Sequence, residues 1–326
     1  MRQAPLLMNE FPSGPFWKLA AIAVLLAGGF GGKTLAQQKG QKTFSSADQA
    51  AQALFTAAQS NDEKALLELF GPAGKEIVDS GDASADERSR ANFSKRYQQM
   101  HRLVKEPDGT TAIYIGAHNW PYPVPLRNKG NVWYFDTETG KQEVLYRRIG
   151  FNEISAMRVC QELVAAQKEF YAQQNNQYAP KILSDNGKKD GLYWKSSEGE
   201  TPSPIGPLVA SAVDNETANA SGQAPTPYHG YYFHILAKQG KNAQGGSKNY
   251  LVDGKMNGFA FVAFPAAYRS SGVMTFIVGD DGTIYQKDLG PTTVTAGKAM
   301  TEYNPGPGWN KVEDDQQETA GAETPK

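Results

Sequence analysis

His118 and Asp136 are the two residues of this chain that best match the needs of acid–base catalysis. Such catalysis requires an imidazole close to a carboxylate, in surroundings that shift their pKa values. Asp136 follows the apolar run from Val132 to Phe135, and an aspartate at the end of a strand is more often a turn residue. Enzymatic activity therefore stays open, and the sequence favours a protein without a catalytic residue.

A proline-rich stretch from Trp120 to Pro125 follows His118 directly. Prolines hold such a stretch in an extended form, and here they display two aromatic side chains. His118, Trp120 and Tyr122 are therefore candidates for the rim of a ligand or partner site. In the alternative, which we favour, the aromatic side chains fill the open end of their own domain.

The sequence offers few residues that could bind a metal ion or act as a nucleophile. Cys160 is the only cysteine, so no internal disulfide forms, and its apolar helical surroundings predict a small buried hydrophobe. Asp280 and Asp281 are secondary candidates for calcium, which prefers several clustered oxygens. We predict no metal site and no cofactor. Four histidines are scattered without the H-x-x-x-H spacing of a zinc site, and they are His101, His118, His229 and His234.

The first 36 residues have the pattern of an export signal. A weakly basic start leads into the apolar run Leu19–Ala27, and Thr34-Leu-Ala36 resembles a cleavage site. We predict a signal peptide over 1–36 and a location in the periplasm of a Gram-negative bacterium. The alternative is an uncleaved segment that anchors the protein to the inner membrane. With signal cleavage, no stable membrane anchor is expected.

Composition limits the classes of partner. The formal net charge of −1 provides no basic field for nucleic acid, and no polybasic segment is apparent that would hold anionic lipid. The content of 40% hydrophobic residues, with 15 Tyr and 15 Phe, is sufficient for packed cores in two domains.

Periodicity predicts helices in the first half, an internal long helix and strands beyond it. Capping patterns start helices at Ser46, at Asp62 and at Ser84, the last running to about Lys105 with His101 and Arg102 on a solvated face. Another helix ends near residue 174, with Asn152 as its cap. Strands are predicted over 111–115, 124–126 and 132–135, and an antiparallel meander over 230–286. Residues 196–229 are predicted to form a long exposed loop and 305–326 a disordered acidic tail.

An ordered set of short segments resembles a bacterial exported family known as domain of unknown function 2950 (DUF2950). The resemblance covers nearly the whole chain after the signal, and it implies no activity and no catalytic residue. The segments that carry it include Trp120-Pro-Tyr-Pro123, Trp133-Tyr-Phe-Asp136, Asp190-Gly-Leu-Tyr-Trp194, Gly230-Tyr-Tyr-Phe233 and Ser271-Gly-Val-Met-Thr-Phe276.

Each half also resembles a known fold, so the predicted class is α+β with two domains. Residues 44–140 resemble an NTF2-like domain, a cone of helices on a curved antiparallel sheet. Residues 141–304 resemble a pilin or pseudopilin, with one long helix packed on an antiparallel meander, although the apolar filament-forming segment of pilins is missing. Folds alone do not decide function.

The sequence thus favours a non-catalytic binding or assembly module of the cell envelope. One alternative is an enzyme or small-ligand binder that uses the pocket of the NTF2-like domain. Another is an accessory factor of a pilus or type II secretion system, with envelope or secretion proteins as partners.

Overall fold

The computed structural model describes residues 38–79, 83–174, 176–197, 199–213 and 225–313. The predicted signal peptide and the end of the predicted acidic tail lie outside these residues. The chain divides into two compact units, Met1–Arg148 and Ile149–Lys326. Helices and antiparallel sheets are both present, so the chain is an α+β protein, as predicted.

In the described residues, four α-helices precede the first sheet. The caps predicted for the first two are confirmed, because the Ser46 hydroxyl accepts from the Gln49 N–H at 3.1 Å and the Asp62 carboxylate accepts from the Ala65 N–H at 2.9 Å. The predicted continuation of the fourth helix to Lys105 is wrong, because the chain leaves the helix after Gln99. The helices are α1 (Ala47–Gln59), α2 (Glu63–Phe70), α3 (Lys75–Val78) and α4 (Ala83–Gln99).

The first sheet is antiparallel and packs one face on these helices. Its strand order is β1-β2-β4-β5, with β3 paired to β2. Leu54, Phe70 and Ile113 are almost fully buried between the helices and the sheet, and they form the centre of a core that belongs to this unit alone. The strands are β1 (His101–Lys105), β2 (Thr111–Ile115), β3 (Trp120–Pro121), β4 (Leu126–Lys129) and β5 (Val132–Phe135).

The longest helix, α5 (Thr137–Gln173), has 37 residues and follows β5 directly. Asp136 begins it, because its carboxylate accepts from the N–H and the hydroxyl of Thr139 at 3.2 and 2.9 Å. The same carboxylate pairs with Arg127 on β4. The prediction that Asn152 caps this helix is wrong. Asn152 lies inside it, is buried, and donates to the Ser271 carbonyl at 2.8 Å.

The second unit contains a five-stranded antiparallel sheet in the order β6-β11-β12-β13-β15, and the predicted meander is confirmed. A smaller sheet has the order β14-β7-β8, and β9 and β10 form a separate hairpin. The helices are α6 (Pro207–Ser211) and α7 (Thr293–Lys298). The strands are β6 (Tyr231–Leu236), β7 (Lys238–Gln239), β8 (Lys248–Asn249), β9 (Leu251–Val252), β10 (Lys255–Met256), β11 (Ala260–Pro265), β12 (Met274–Gly279), β13 (Ile284–Asp288), β14 (Glu302–Tyr303) and β15 (Asn310–Lys311).

Two segments predicted as exposed or disordered are partly packed. Within the predicted loop 196–229, helix α6 buries Val209, and the Ala212 carbonyl accepts from the Phe233 N–H at 3.0 Å. Within the predicted tail, β15 pairs with β13 and Val312 is fully buried. A few small apolar residues in each polar stretch are therefore sufficient to join the core of this unit. Hydrophobicity averaged over a long window does not reveal such residues.

Removal of the Asp136 side chain tests the joint between β5 and α5. We expect Asp136→Ala to lower the free energy of unfolding by about 2 kcal/mol, because it removes a helix cap and leaves the half-buried Arg127 without this partner. Urea unfolding followed by circular dichroism measures the change. Asp62→Ala is the matched control, a lone exposed cap with an expected cost of about 1 kcal/mol. An Asp136→Ala change no larger than the control would contradict this role.

Glu153 on α5 makes stability depend on pH. Its carboxylate accepts from the N–H groups of Val273 and Met274 at 2.9 and 3.0 Å, but burial dominates and raises its pKa. A carboxyl with a raised pKa stabilises the fold most when protonated, and that contribution is lost as the pH rises through the pKa of the folded state.

We therefore expect Glu153→Gln, whose amide oxygen still accepts both N–H groups, to gain stability relative to the wild type as the pH rises from 4 to 7. Chemical unfolding at several pH values measures the difference. The control is Glu169→Gln, because Glu169 is exposed on the same helix. The difference in stability between this control and the wild type should stay constant over the same pH range. A Glu153→Gln difference that is constant over this range would show that the carboxyl does not titrate differently on folding.

Candidate functional site

An open groove of about 450 Å³ lies in the first unit, between α1 and the point at which α4 passes into β1. Helix α1 contributes polar side chains to it, and the α4–β1 junction contributes an aromatic ring and an imidazole. This combination provides hydrogen-bond donors and acceptors around an aromatic surface. The side chains that line the groove include Asp48, Gln49, Gln52, Tyr97, His101 and Arg102.

Three aromatic rings stack at the groove. The Phe55 and Tyr97 rings lie 4.8 Å apart and nearly parallel, at 15°. The His101 ring stacks in turn on the Tyr97 ring, with their centres 3.9 Å apart and an angle of 8° between the ring planes. His101 is exposed, so the stack ends in an imidazole at the surface. Parallel stacking of this kind fixes the ring planes and prepares a flat surface at the groove.

The hydrogen bond of His101 determines its tautomer. Its Nδ1 lies 3.1 Å from the Tyr97 carbonyl oxygen, which only accepts hydrogen bonds. The proton therefore resides on Nδ1, and in the neutral ring Nε2 is an acceptor. Burial, with a smaller contribution from the charge of Asp48, raises the pKa of Tyr97, so its phenol stays protonated at neutral pH.

Arg102 also lines the groove, but two contacts hold its guanidinium on the face of the sheet opposite to His101. Its Nε donates to the Asn119 side-chain oxygen at 2.8 Å, and its guanidinium lies 5.0 Å from the Tyr114 ring. Asn119 adopts a φ of +52°, a left-handed conformation that asparagine tolerates better than most residues. The guanidinium is therefore directed to the Tyr114 ring rather than into the groove.

The predicted rim residues occupy three different environments. His118 is exposed in the turn before β3. Trp120 is half-buried, with the Arg147 guanidinium 4.8 Å from its ring. Tyr122 is buried and packs edge-on against Phe93 at 5.1 Å. None of the three lines the groove, and their role as a ligand rim stays a prediction.

The other predicted chemistry falls on residues with structural contacts. Asp136 accepts from Thr139 and pairs with Arg127, and its acid–base partnership with His118 stays a prediction. Asp281 accepts from the Thr283 N–H at 2.9 Å, as in an Asx turn, beside Asp280. In the residues that the structure describes, no three or more His, Cys, Asp and Glu side chains cluster as metal ligands would.

Sequence reasoning missed the groove because its residues come from separate elements. His101 and Arg102 were expected on the solvated face of a helix, whereas both lie on β1. The four-residue spacing of Tyr97 and His101 was the available signal, since it places two rings one above the other at the end of a helix. Asp48 and Gln52 repeat the same spacing on α1.

Cys160 is buried on α5, and burial raises the pKa of its thiol to about 12. We expect the folded protein to show no reaction with Ellman's reagent at pH 8 over minutes, because the thiolate is the nucleophile and is scarce there. The final absorbance after unfolding in denaturant gives the signal for one reacted thiol per chain. Full labelling before unfolding would show that the helix opens locally or that the thiol is accessible.

Comparison with known proteins gives a family and no relative of known activity. The family model described as "Protein of unknown function (DUF2950)" matches residues 41–312. No curated protein and no solved structure matches the chain. Among the described helices, none combines the length and the apolar composition that a bilayer crossing requires.

Proposed function

The chain belongs to the DUF2950 family, and we propose that it is an exported, non-catalytic binding module of the bacterial cell envelope. The charged, apolar and small-residue pattern of residues 1–36 supports export. The groove of the first unit supports binding, and we assign it as the binding site. The family match implies no activity, so it does not distinguish binding from catalysis.

The observation that carries this proposal is the aromatic stack that ends at the groove. His101 continues the stack of Phe55 and Tyr97 to the surface, beside a carboxylate and two side-chain amides. The volume of about 450 Å³ falls within the range of small-molecule clefts. A saccharide suits this surface, because its ring has an apolar face for stacking and hydroxyls for hydrogen bonds on its edges. We therefore propose an envelope saccharide as the ligand.

Several contacts favour binding over catalysis. The thiol of Cys160 is buried and protonated, and the Asp136 carboxylate holds a helix start and an arginine. The Cys160 thiol and the Asp136 carboxylate are thus engaged in structural contacts, whereas the groove groups suit hydrogen bonding to a ligand.

Calorimetric titration of the full chain with the trisaccharide of N-acetylglucosamine tests the site. We expect His101→Ala to weaken binding about tenfold, because it removes one stacking partner and one hydrogen-bond acceptor. Lys105→Ala is the matched control, an exposed residue on the same strand that does not line the groove, and it should bind like the wild type.

Three results would overturn parts of this proposal. Absence of heat with the wild type would reject the saccharide as ligand. An equal loss of affinity in His101→Ala and Lys105→Ala would reject the groove as the binding site. Release of shorter saccharides during the titration would replace the binding module with the alternative of an enzyme in the first domain.

A further inference from the structure

The hairpin of β9 and β10 exposes two neighbouring apolar side chains. Leu251 is 47% and Val252 45% exposed. Five large hydrophobic side chains are exposed in the described part of the chain, and these two are the only pair adjacent in sequence, the others being Val132, Tyr146 and Leu208. Single exposed apolar residues are common on protein surfaces, whereas two together at the tip of one hairpin are a candidate for an interaction site.

The hairpin projects from its unit on a firm base. Val252 lies opposite Lys255 and Leu251 opposite Met256, and Asp253 and Gly254 turn the chain with φ of +51° and +75°. Neighbouring residues of a strand point to opposite faces, so exposure of both Leu251 and Val252 means that both faces of the tip meet solvent. The base is fixed, because Met256 is buried and the Tyr250 carbonyl accepts from the Asn257 N–H at 2.8 Å.

Two lysines flank this apolar tip. Within residues 248–256 the chain carries Lys248, Lys255 and one carboxylate, that of Asp253. Lys255 shares a face with Val252, since directly opposite residues of a hairpin point to the same side. Lys248 lies on β8, directly before the hairpin, and its ammonium lies 5.8 Å from the centre of the Tyr250 ring. Both lysines are exposed.

We propose that the hairpin tip, residues 251–255, inserts into the interface of a bilayer that contains anionic phospholipids. The side chains of Leu251 and Val252 enter the boundary between headgroups and acyl chains, and the lysines contact the lipid phosphates. A weak apolar insertion becomes stable binding when a basic patch supports it. Because both faces of the tip are exposed, the occupant has to surround it. A fluid interface does so without a preformed cleft, which favours a bilayer over a protein surface.

A fluorophore at the tip tests insertion independently of the rest of the chain. We replace Leu251 in the full chain by Leu251→Cys and label it with an environment-sensitive nitrobenzoxadiazole dye, since the native Cys160 is buried. With vesicles of phosphatidylcholine and phosphatidylglycerol we expect a blue shift and brighter emission, and no change with pure phosphatidylcholine. The matched control is Leu208→Cys with the same label, another exposed leucine, and it should not respond.

Charge removal tests the role of the lysines. The double variant Lys248→Gln/Lys255→Gln, with the tip label in place, should partition into the anionic vesicles about 25-fold more weakly, at roughly fivefold for each lysine. Unchanged thermal unfolding of the variant shows that the fold is intact.

Four results would overturn the proposal. An unresponsive tip label would exclude insertion. Equal responses at residues 251 and 208 would indicate adsorption of the whole chain. A tip response to protein concentration without vesicles would indicate a second copy as the occupant. Equal partition before and after lysine removal would exclude the electrostatic contribution. None of these results bears on the groove, because the proposed saccharide site lies in the other unit.

Discussion

The junction between α4 and β1 is the constraint on which the candidate site depends. Gly116, with a φ of +72°, donates its N–H to the carbonyls of Arg96 and Met100 at 3.1 and 2.9 Å, and so ties the end of α4 to the end of β2. The helix then stops at Gln99, and His101 begins a strand while its ring still lies over Tyr97. A helix that continued to Lys105 would replace β1, and the groove would lose the wall that the start of this strand provides.

Several elements of the fold could be predicted because local patterns determine them. Helices α1 and α2 have side-chain caps at Ser46 and Asp62, and the strand over 132–135 has β-formers next to a glycine turn. The start of α5 could not be predicted in the same way. Gly140 lowers helix propensity, but a Cβ at this position would lie 2.7 Å from a Val124 methyl group. Close packing therefore requires the glycine, and the helix passes through it.

The candidate site was less predictable than the fold, for a related reason. The groove residues are far apart in the sequence, and their proximity follows from the packing of α1 on α4. Tyr122, by contrast, was singled out as one of two displayed aromatics, and it is buried against Phe93. The proline-rich composition around Tyr122 thus indicated a rigid segment of the core. The groove, by contrast, is assembled at the surface from common polar residues of several elements.

Both proposed surfaces lie within units that have their own cores. The core of the first unit is centred on residues such as Leu54 and Ile113, and that of the second on Phe261 and Ile277. Mutational effects at sites that share no contacts usually add. The two proposed activities, saccharide binding by the groove and lipid binding by the hairpin tip, should therefore be separable by single substitutions. A chain that retains one after losing the other would show that each unit carries its own surface, and a chain that loses both together would show energetic coupling between them.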